Sequence, residues 1–335
     1  MVRGIILLLA VACSSPPPLV TVASGPVPTE ELSAIRFVVL GDTGTGSEAQ
    51  YRVAKAIKNV CAKLGGCDLA LLLGDNIYEF GVKDVADAQW QEKFERPYAE
   101  LAFPFYAVLG NHDYGDPEDI LGFAAGIGVL PERAQAEIDY TQYSQKFRLP
   151  APVYQFSVGP VEFSGLNTNA VFWSDMNLAL GARGFNELIA EQNELLSQWE
   201  PQSSAFWRIA FGHHPYLSNG THGNAGAYGG ATLRAGSGKA LKQFFDARVI
   251  GHFDVYFSGH DHDLQDLGNV GGTELLVSGA GAKLTELIGT NPTFYETSQL
   301  GFVIVEASRT DLHFIYVVVS DTGEGIYVHE REITR

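Results

Sequence analysis

The chain has 335 residues, of which 46% are apolar and 18% charged, so an intrinsically disordered protein is excluded. Its formal net charge of −17 argues against a nucleic-acid partner and against binding to an anionic membrane surface. The same charge opposes a phosphate substrate unless bound cations reverse it locally.

The N-terminus predicts export. Residues 1–12 combine a basic start with an apolar run that is shorter than the roughly 20 residues of a membrane span, which is typical of a signal peptide. The sequence before Cys13 resembles a bacterial lipobox. Two interpretations stay open, with the first favoured: a lipoprotein anchored through Cys13 in the periplasm or on the outer membrane, or a secreted protein cleaved a few residues later. Residues 13–32 are then a flexible tether, and residues 33–335 one catalytic domain.

Five short apolar runs share one pattern, in which glycine ends the run and a residue of metal-ligand type follows. They are Ile35–Leu40 before Asp42, Leu69–Leu73 before Asp75, Phe105–Leu109 before Asn111, Trp207–Phe211 before His213, and Val255–Ser258 before His260 and His262. Each run predicts a strand buried on both faces. Helical spacing over Ala49–Lys63 and Glu187–Trp199 lies between them, so we predict a layered α/β fold with ligands beyond the strand ends.

The remaining segments carry weaker signals. Residues 114–150 are irregular and predict an insertion near the mouth of the site, with a short helix at 132–138. The final runs Gly301–Ala307, Leu312–Val319 and Gly325–Ile333 predict successive β-strands that finish a second sheet.

Two cysteines, Cys61 and Cys67, flank the pair Gly65-Gly66. In an exported chain they are expected to form a disulfide, and the alternative is two buried thiols.

The candidate ligands are oxygen and imidazole donors without thiolate, namely Asp42, Asp75, Tyr78, Asn111, His213, His260 and His262. This donor set suits iron, zinc or manganese better than copper(I) or structural zinc. Any one of these residues alone would be interpreted as a turn or core residue. Seven donors together exceed what one ion takes, and they suit two ions that share a carboxylate.

The order of the motifs provides a resemblance. Gly41-Asp42-Thr43-Gly44, Gly74-Asp75-Asn76-Ile77-Tyr78, Gly110-Asn111-His112-Asp113, Gly212-His213-His214-Pro215 and Gly259-His260-Asp261-His262 follow one another as in the metallophosphoesterases. Over nearly the whole mature chain the sequence resembles the small, single-domain purple acid phosphatases of that calcineurin-like superfamily. The resemblance implies an α/β sandwich of two mixed β-sheets flanked by helices. Tyr78 distinguishes the purple branch, since it stands where that family has a tyrosinate bound to ferric iron.

The resemblance also implies a ligand assignment with Asp75 as the bridge. Fe(III) is assigned to Asp42, Asp75, Tyr78 and His262, and a divalent ion (Fe, Zn or Mn) to Asp75, Asn111, His213 and His260. The two carboxylates, the phenolate and a bound hydroxide contribute about −4 against +5 from the ions. The site is then locally cationic in an acidic protein, which removes the objection to a phosphate substrate.

The expected activity is hydrolysis of small phosphate monoesters at acidic pH, with a metal-bound hydroxide attacking phosphorus and a histidine protonating the leaving alcohol. His112 follows the ligand Asn111, and His222 lies nine residues after His213, so both are candidate catalytic residues. The role of His214 is open. Two alternatives remain: a phosphodiesterase or nucleotidase on the same metal site, and a non-catalytic metal-binding surface protein. We expect a monomer without a nucleic-acid partner, and a membrane association only through a lipid on Cys13.

Overall fold

The computed structural model describes residues 32–115, 129–174, 185–228 and 238–335. The predicted signal peptide, and the tether up to residue 31, lie outside the described residues, as do parts of the loops that we expect near the site. Within the described ranges, no helix has the length and apolar character required to cross a bilayer.

In the part of the chain that the structure describes, fourteen strands form two mixed sheets of seven strands each. In chain order they are β1 (Ala34–Leu40), β2 (Leu69–Leu72), β3 (Phe105–Ala107), β4 (Phe147–Arg148), β5 (Tyr154–Val158), β6 (Val161–Gly165), β7 (Trp207–Phe211), β8 (Val255–Ser258), β9 (Leu264–Val270), β10 (Thr273–Ser278), β11 (Tyr295–Thr297), β12 (Gly301–Ser308), β13 (Asp311–Val319) and β14 (Gly325–Thr334). The spatial orders are β14-β13-β12-β1-β2-β3-β4 and β11-β9-β10-β8-β7-β6-β5. The predicted layered α/β sandwich is confirmed, as are the five ligand-bearing strands.

Helices cover the sheets as the apolar spacing predicts. They are α1 (Glu48–Lys63), α2 (Pro131–Tyr140), α3 (Thr168–Ser174), α4 (Phe185–Trp199) and α5 (Lys239–Arg248). α1 and α4 were predicted from helical spacing, and α2 contains the short helix expected at 132–138. α1 buries Val53, Ile57 and Val60 along one face, which is the stripe that faces the sheet.

The two sheets pack face to face through aromatic side chains. Phe37 of β1 contacts Phe163 of β6 edge-on at 5.2 Å between ring centroids, and Phe257 of β8 at 6.4 Å. β1, β2 and β3 run parallel in one sheet, and β7 and β8 run parallel in the other. The end of β1 meets the end of β10 where the Gly41 amide donates to the Ser278 carbonyl at 2.7 Å. The carboxyl ends of the five ligand-bearing strands therefore meet at one rim of the sandwich.

One strand prediction is wrong. The final strands β12, β13 and β14 do not finish a second sheet, because β12 pairs antiparallel with β1, Val305 opposite Phe37. They extend the first sheet beyond the edge of β1 that β2 leaves open. The second sheet is completed by β9, β10 and β11 instead.

Cys61 and Cys67 form the predicted disulfide, with their Cα atoms 5.4 Å apart. It joins the last turns of α1 to the segment that leads into β2. The guanidinium of Arg36 reinforces this junction by donating to the carbonyls of Leu64 and Gly66. The crosslink lies at the opposite end of β1 from Asp42, and its contacts are structural.

Candidate metal centre

Three of the candidate ligands have an unusual backbone. Asp42, Asp75 and His260 follow the glycines that end β1, β2 and β8, and their φ angles of 58°, 53° and 69° are in the left-handed region. Such a conformation costs about 1–3 kcal/mol per non-glycine residue and is concentrated at functional sites. The strain turns each side chain back over the end of its strand, toward a common centre.

The motif glycines make room for these carboxylates. A Cβ atom on Gly110 would lie 2.1 Å from Asp75 Oδ1, and one on Gly259 would lie 2.5 Å from Asp42 Oδ2. Any larger residue would displace the carboxylates. Gly110 and Gly259 are therefore needed to leave room for the carboxylates of Asp75 and Asp42, as well as to let the chain turn.

Three of the donors converge around the phenol oxygen of a fourth, Tyr78. Tyr78 Oη lies 2.8 Å from Asp75 Oδ2, 3.1 Å from Asp42 Oδ1 and 3.1 Å from His262 Nε2. A phenol has one proton and can satisfy only one of these acceptors. Ligand atoms of Asp42, Asp75 and His262 also lie within 4.8 Å of one another, close enough for the three residues to hold one metal ion.

The other donors converge around His213. Its Nδ1 lies 2.9 Å from the carbonyl of Leu73, so Nδ1 carries the proton and Nε2 presents a lone pair. That lone pair faces Asn111 Oδ1 at 2.9 Å, His260 Nδ1 at 3.0 Å and Asp75 Oδ1 at 3.6 Å. A cation placed among these oxygen and nitrogen atoms could take a lone pair from each of them, so the residues fit a metal ion.

Burial favours the uncharged forms of Asp42, Tyr78, His260 and His262. Burial raises the pKa of Asp42 well above its usual value, and burial with the charges of Asp42 and Asp75 raises the pKa of Tyr78. Burial lowers the pKa of His262 to about 4 and that of His260 well below its usual range. The imidazoles of His260 and His262 are therefore neutral, the form that binds a metal, and Asp42 and Tyr78 need a cation in order to ionise. Asp75 differs, because burial would raise its pKa but the neighbouring His213 and His112 outweigh burial and lower the pKa below its usual value.

All seven sequence-predicted ligands thus lie in two adjacent groups that share Asp75. Five of the seven residues are buried, and Asn111 and His260 are partly exposed. This sharing is the arrangement expected for two ions with one bridging carboxylate.

His112 lies beside the first group. Its Nδ1 lies 2.6 Å from the Glu79 carbonyl, its backbone amide donates to Asp75 Oδ1 at 3.0 Å, and its Nε2 lies 4.0 Å from Asp75 Oδ2. Its ring contacts that of Tyr78 at 4.6 Å. Burial alone would lower its pKa, but the Asp75 charge and the Glu79 carbonyl outweigh burial and raise it.

His222 and His214 lie beside the second group. The ring of His222 stacks on that of His260 at 4.0 Å, and the His222 amide donates to Asp261 Oδ1 at 2.9 Å. His214 is fully buried, with Nδ1 2.9 Å from Thr168 Oγ1 and its ring 4.6 Å from that of His260. His222 is thus placed to meet a ligand at the mouth, and His214 supports His260 from inside.

A buried pair of acids, Asp113 and Glu137, lies beside the ligand motifs. From the sequence, Asp113 was expected either to orient a ligand or to cap a turn, and Glu137 was missed. Asn76 Nδ2 donates to Asp113 Oδ2 at 3.0 Å and to Glu137 Oε2 at 3.1 Å. Asp113 in turn accepts the amides of Gly110 at 2.7 Å and Ile77 at 3.0 Å, which joins two ligand motifs. Burial, with the nearby Asp75 charge, raises the pKa of Asp113 to about 7. Glu137 comes from α2, and nothing in its sequence context indicated a buried acid.

Lys283 was also missed. Its Nζ lies 3.9 Å from the centroid of the Tyr78 ring and 3.7 Å from Glu79 Oε2. The residue follows β10, a strand whose end carries no ligand-type residue and therefore gave no motif. The four glycine and alanine residues between Ser278 and Lys283 were the available sequence signal of a close approach to the site.

A model of the calcineurin-like phosphoesterase family matches residues 35–264, which contain both groups of donors. The chain belongs to this family. Purple acid phosphatase 4 of Arabidopsis thaliana is 30% identical, with 94% of this chain and 88% of that protein covered. Tartrate-resistant acid phosphatase type 5 of Mus musculus is 27% identical, with coverage of 90% and 91%.

These relatives confirm the purple acid phosphatase resemblance over most of the chain. With the clustered donors, they make the protein a binuclear-metal hydrolase of phosphate monoesters. Among solved structures, GAP50, described as the anchor in the inner membrane complex of Plasmodium, matches with a TM-score of 0.67 at 19% identity. That match covers 90% of this chain and 89% of GAP50, and it shows the shared fold alone.

Proposed function

We propose that the chain is an exported purple acid phosphatase that holds ferric iron beside Tyr78 and a divalent ion beside Asn111. The observation that carries the iron assignment is the convergence of two carboxylates, an imidazole and a phenol at Tyr78 Oη, all within 3.1 Å. Anionic oxygen donors favour a hard, highly charged ion. We assign Fe(III) to Asp42, Asp75, Tyr78 and His262, and Fe, Zn or Mn to Asp75, Asn111, His213 and His260.

Bound together, the two ions would supply Lewis acidity and an activated water for attack on phosphorus. The protein's part is to hold these ligands rigidly. Asp75 divides its oxygens, with Oδ2 toward Tyr78 and Oδ1 toward His213, so one side chain fixes the separation of both groups. The neutral Asn111 and His213 leave more positive charge on their side, where the ester oxygens of the substrate would bind.

We assign the leaving-group proton to His112. Its Nδ1–H is directed at the Glu79 carbonyl, so the proton that can be transferred is on Nε2, the atom that faces Asp75. The carboxylate stabilises the imidazolium, and the raised pKa keeps it protonated in mildly acidic solution. A positioned acid of this kind contributes about 10²–10⁴-fold to the rate.

We assign substrate binding to His222. Its ring stacks on His260 and is half-buried, so one edge faces the mouth of the second group. There it can donate to a non-bridging phosphate oxygen, while the buried His214 stays away from the substrate.

The test of the iron assignment is metal analysis combined with a visible spectrum. A ferric ion bound by Tyr78 should colour the protein, and Tyr78→Phe should abolish the colour. Tyr154→Phe is the matched control, because it removes another buried tyrosine hydroxyl, one that donates to the Ala107 carbonyl. A colourless protein with two equivalents of zinc or manganese would reject the ferric assignment but not the phosphatase.

The test of the reaction is turnover of a monoester and a diester of one chromogenic alcohol at pH 5 and pH 7. We expect the monoester to be cleaved faster, and more so at the lower pH. Faster cleavage of the diester would favour the phosphodiesterase alternative, and no metal-dependent release of either would favour a non-catalytic role.

We further propose that residues 1–12 direct export, that residues 13–32 are a tether and that the monomeric domain begins at residue 33. The Cys61–Cys67 disulfide supports an oxidising compartment. Mass spectrometry of the mature N-terminus distinguishes a lipid on Cys13 from cleavage beyond it, and light scattering determines the oligomeric state.

A further inference from the structure

Lys283 places a cation against the proposed iron ligand. Its Nζ lies 3.9 Å from the centroid of the Tyr78 ring, and 28% of its side chain is exposed. The same Tyr78 ring contacts the rings of His112 and His262, at 4.6 Å and 6.2 Å. The ammonium is therefore at the mouth of the first donor group, where solvent and substrate can reach it.

The loop that carries Lys283 is fixed on both sides. Before it, the Gly281 amide donates to the Gly41 carbonyl at 3.2 Å, next to the ligand Asp42. After it, the Thr285 amide donates to the His262 carbonyl at 3.1 Å, and Thr285 Oγ1 accepts the His262 amide at 3.0 Å. The position of Lys283 is thus set by the same strand ends that set the ligands.

The contacts of Lys283 leave its donor capacity largely unused. Its ion pair with Glu79 is 3.7 Å long, and the Glu79 side chain is 59% exposed, so the pair contributes little. An ammonium has three N–H donors, and among the described residues none of them makes a hydrogen bond. A doubly charged phosphate group is a stronger partner than the exposed carboxylate.

We propose that Lys283 is a substrate-binding residue, which turns from Glu79 to a non-bridging oxygen of the phosphate group held at the metal centre. This inference rests on the proposed function of the same site. Lys283 would favour a monoester over a diester, because the phosphate group of a monoester carries two negative charges and that of a diester carries one. Glu79 competes with the substrate for Lys283 in the free protein.

The experiment uses the metal-loaded full chain with Lys283→Met, Lys283→Arg and Glu79→Gln. Lys242→Met is the matched control, because Lys242 Nζ lies 4.8 Å over the Tyr216 ring and pairs with Asp246 away from the ligands. Calorimetry gives the Kd of inorganic phosphate, and steady-state kinetics give KM and kcat for a phosphate monoester. The visible spectrum and the thermal midpoint report on Tyr78 and on folding.

We expect Lys283→Met to raise the phosphate Kd and the monoester KM about tenfold, the loss of one charge-assisted hydrogen bond, with a smaller change in kcat. Lys283→Arg should restore most of the affinity, Glu79→Gln should tighten phosphate binding slightly because the pair that it removes is weak, and Lys242→Met should match the parent. Phosphate binding by Lys283→Met at the parental Kd would overturn the inference, and a shifted visible band in that variant would then make Lys283 a support for Tyr78 only. A parent chain that neither binds phosphate nor hydrolyses the ester would contradict the proposed function itself.

Discussion

The two halves of the metal centre share Asp75 but differ in charge. The half around Tyr78 has a phenol, with two carboxylates and one imidazole within 3.1 Å of the phenol oxygen. The half around His213 has the same carboxylate with an amide and two imidazoles, so its unshared ligands are all neutral. The same arrangement, in which ligands follow the ends of strands, therefore forms two ion sites of different charge when the side chains differ.

The two halves also differ in what lies beside them. His112 and Lys283 contact the Tyr78 half, whereas His222 contacts the His213 half through His260. The Tyr78 half therefore has an ammonium and a histidine of raised pKa beside it, whereas the His213 half has the imidazole of His222. If this division is correct, substitutions in the two halves should have different effects on metal content, colour and kinetics.

Substitution of the shared ligand should have the largest effect. Asp75→Asn removes the one negative charge that serves both halves, so we expect loss of both ions and of several kcal/mol of transition-state stabilisation, about 10³-fold or more in kcat/KM. Metal analysis and steady-state kinetics check this. Asp321→Asn, in a fully exposed turn, should retain both. Retention of two equivalents of metal by Asp75→Asn would contradict the bridging role.

The two flanking histidines separate proton transfer from binding. His112→Asn should lower kcat about 10²-fold for an ester of a poorly acidic alcohol, and much less for a nitrophenyl ester, whose leaving group needs no proton. His222→Asn should mainly raise KM and show no such dependence on the leaving group. Kinetics with two esters of different leaving-group pKa check this, and equal losses for both esters in His112→Asn would refute the assignment of the acid.

Loss of a ligand from the His213 half should weaken metal binding there without loss of colour. Asn111→Ala removes an uncharged ligand, so we expect affinity for the second ion to fall about 10–100-fold while the visible band from Tyr78 persists. Titration of the protein with zinc, followed by activity and by the spectrum, checks this. A loss of colour in Asn111→Ala would show that the two halves are not separable.

Much of this comparison could be predicted from the sequence. The motif after each apolar run identified the ligand candidates, because a strand end fixes where the next side chain points. Helices α1 and α4 were predictable because their apolar faces repeat at helical spacing. Membership of the family then followed from the order of the motifs.

The remainder depended on contacts between distant segments. Nothing local indicated that β12 would pair with β1, since the same alternating strands could have closed either sheet. Lys283 reaches Tyr78 only because the loop after β10 is tied to Gly41 and His262. Glu137 is an ordinary helical glutamate by sequence and is buried only because α2 packs below the 110–113 motif.

That buried glutamate gives the smallest predicted effect, on stability rather than on activity. Burial and the neighbouring Asp113 raise the pKa of Glu137 well above its ordinary value of 4.5. Folding therefore takes up a proton at this site when the pH exceeds 4.5, and the contribution to stability is lost as the pH rises toward the folded-state pKa.

Glu137→Gln keeps the amide-to-side-chain contact of Asn76 without an ionisable group, so its free energy of unfolding should decline less steeply with pH, by at most about 1.4 kcal/mol per pH unit. Urea unfolding at pH 5.5 and pH 8 measures this slope. Glu132→Gln, on the exposed side of the same helix, should leave the slope unchanged. A parental slope in Glu137→Gln would mean that Glu137 is ionised in the folded protein. Asp113 and Glu137 could then not both accept the Asn76 amide as uncharged carboxylic acids.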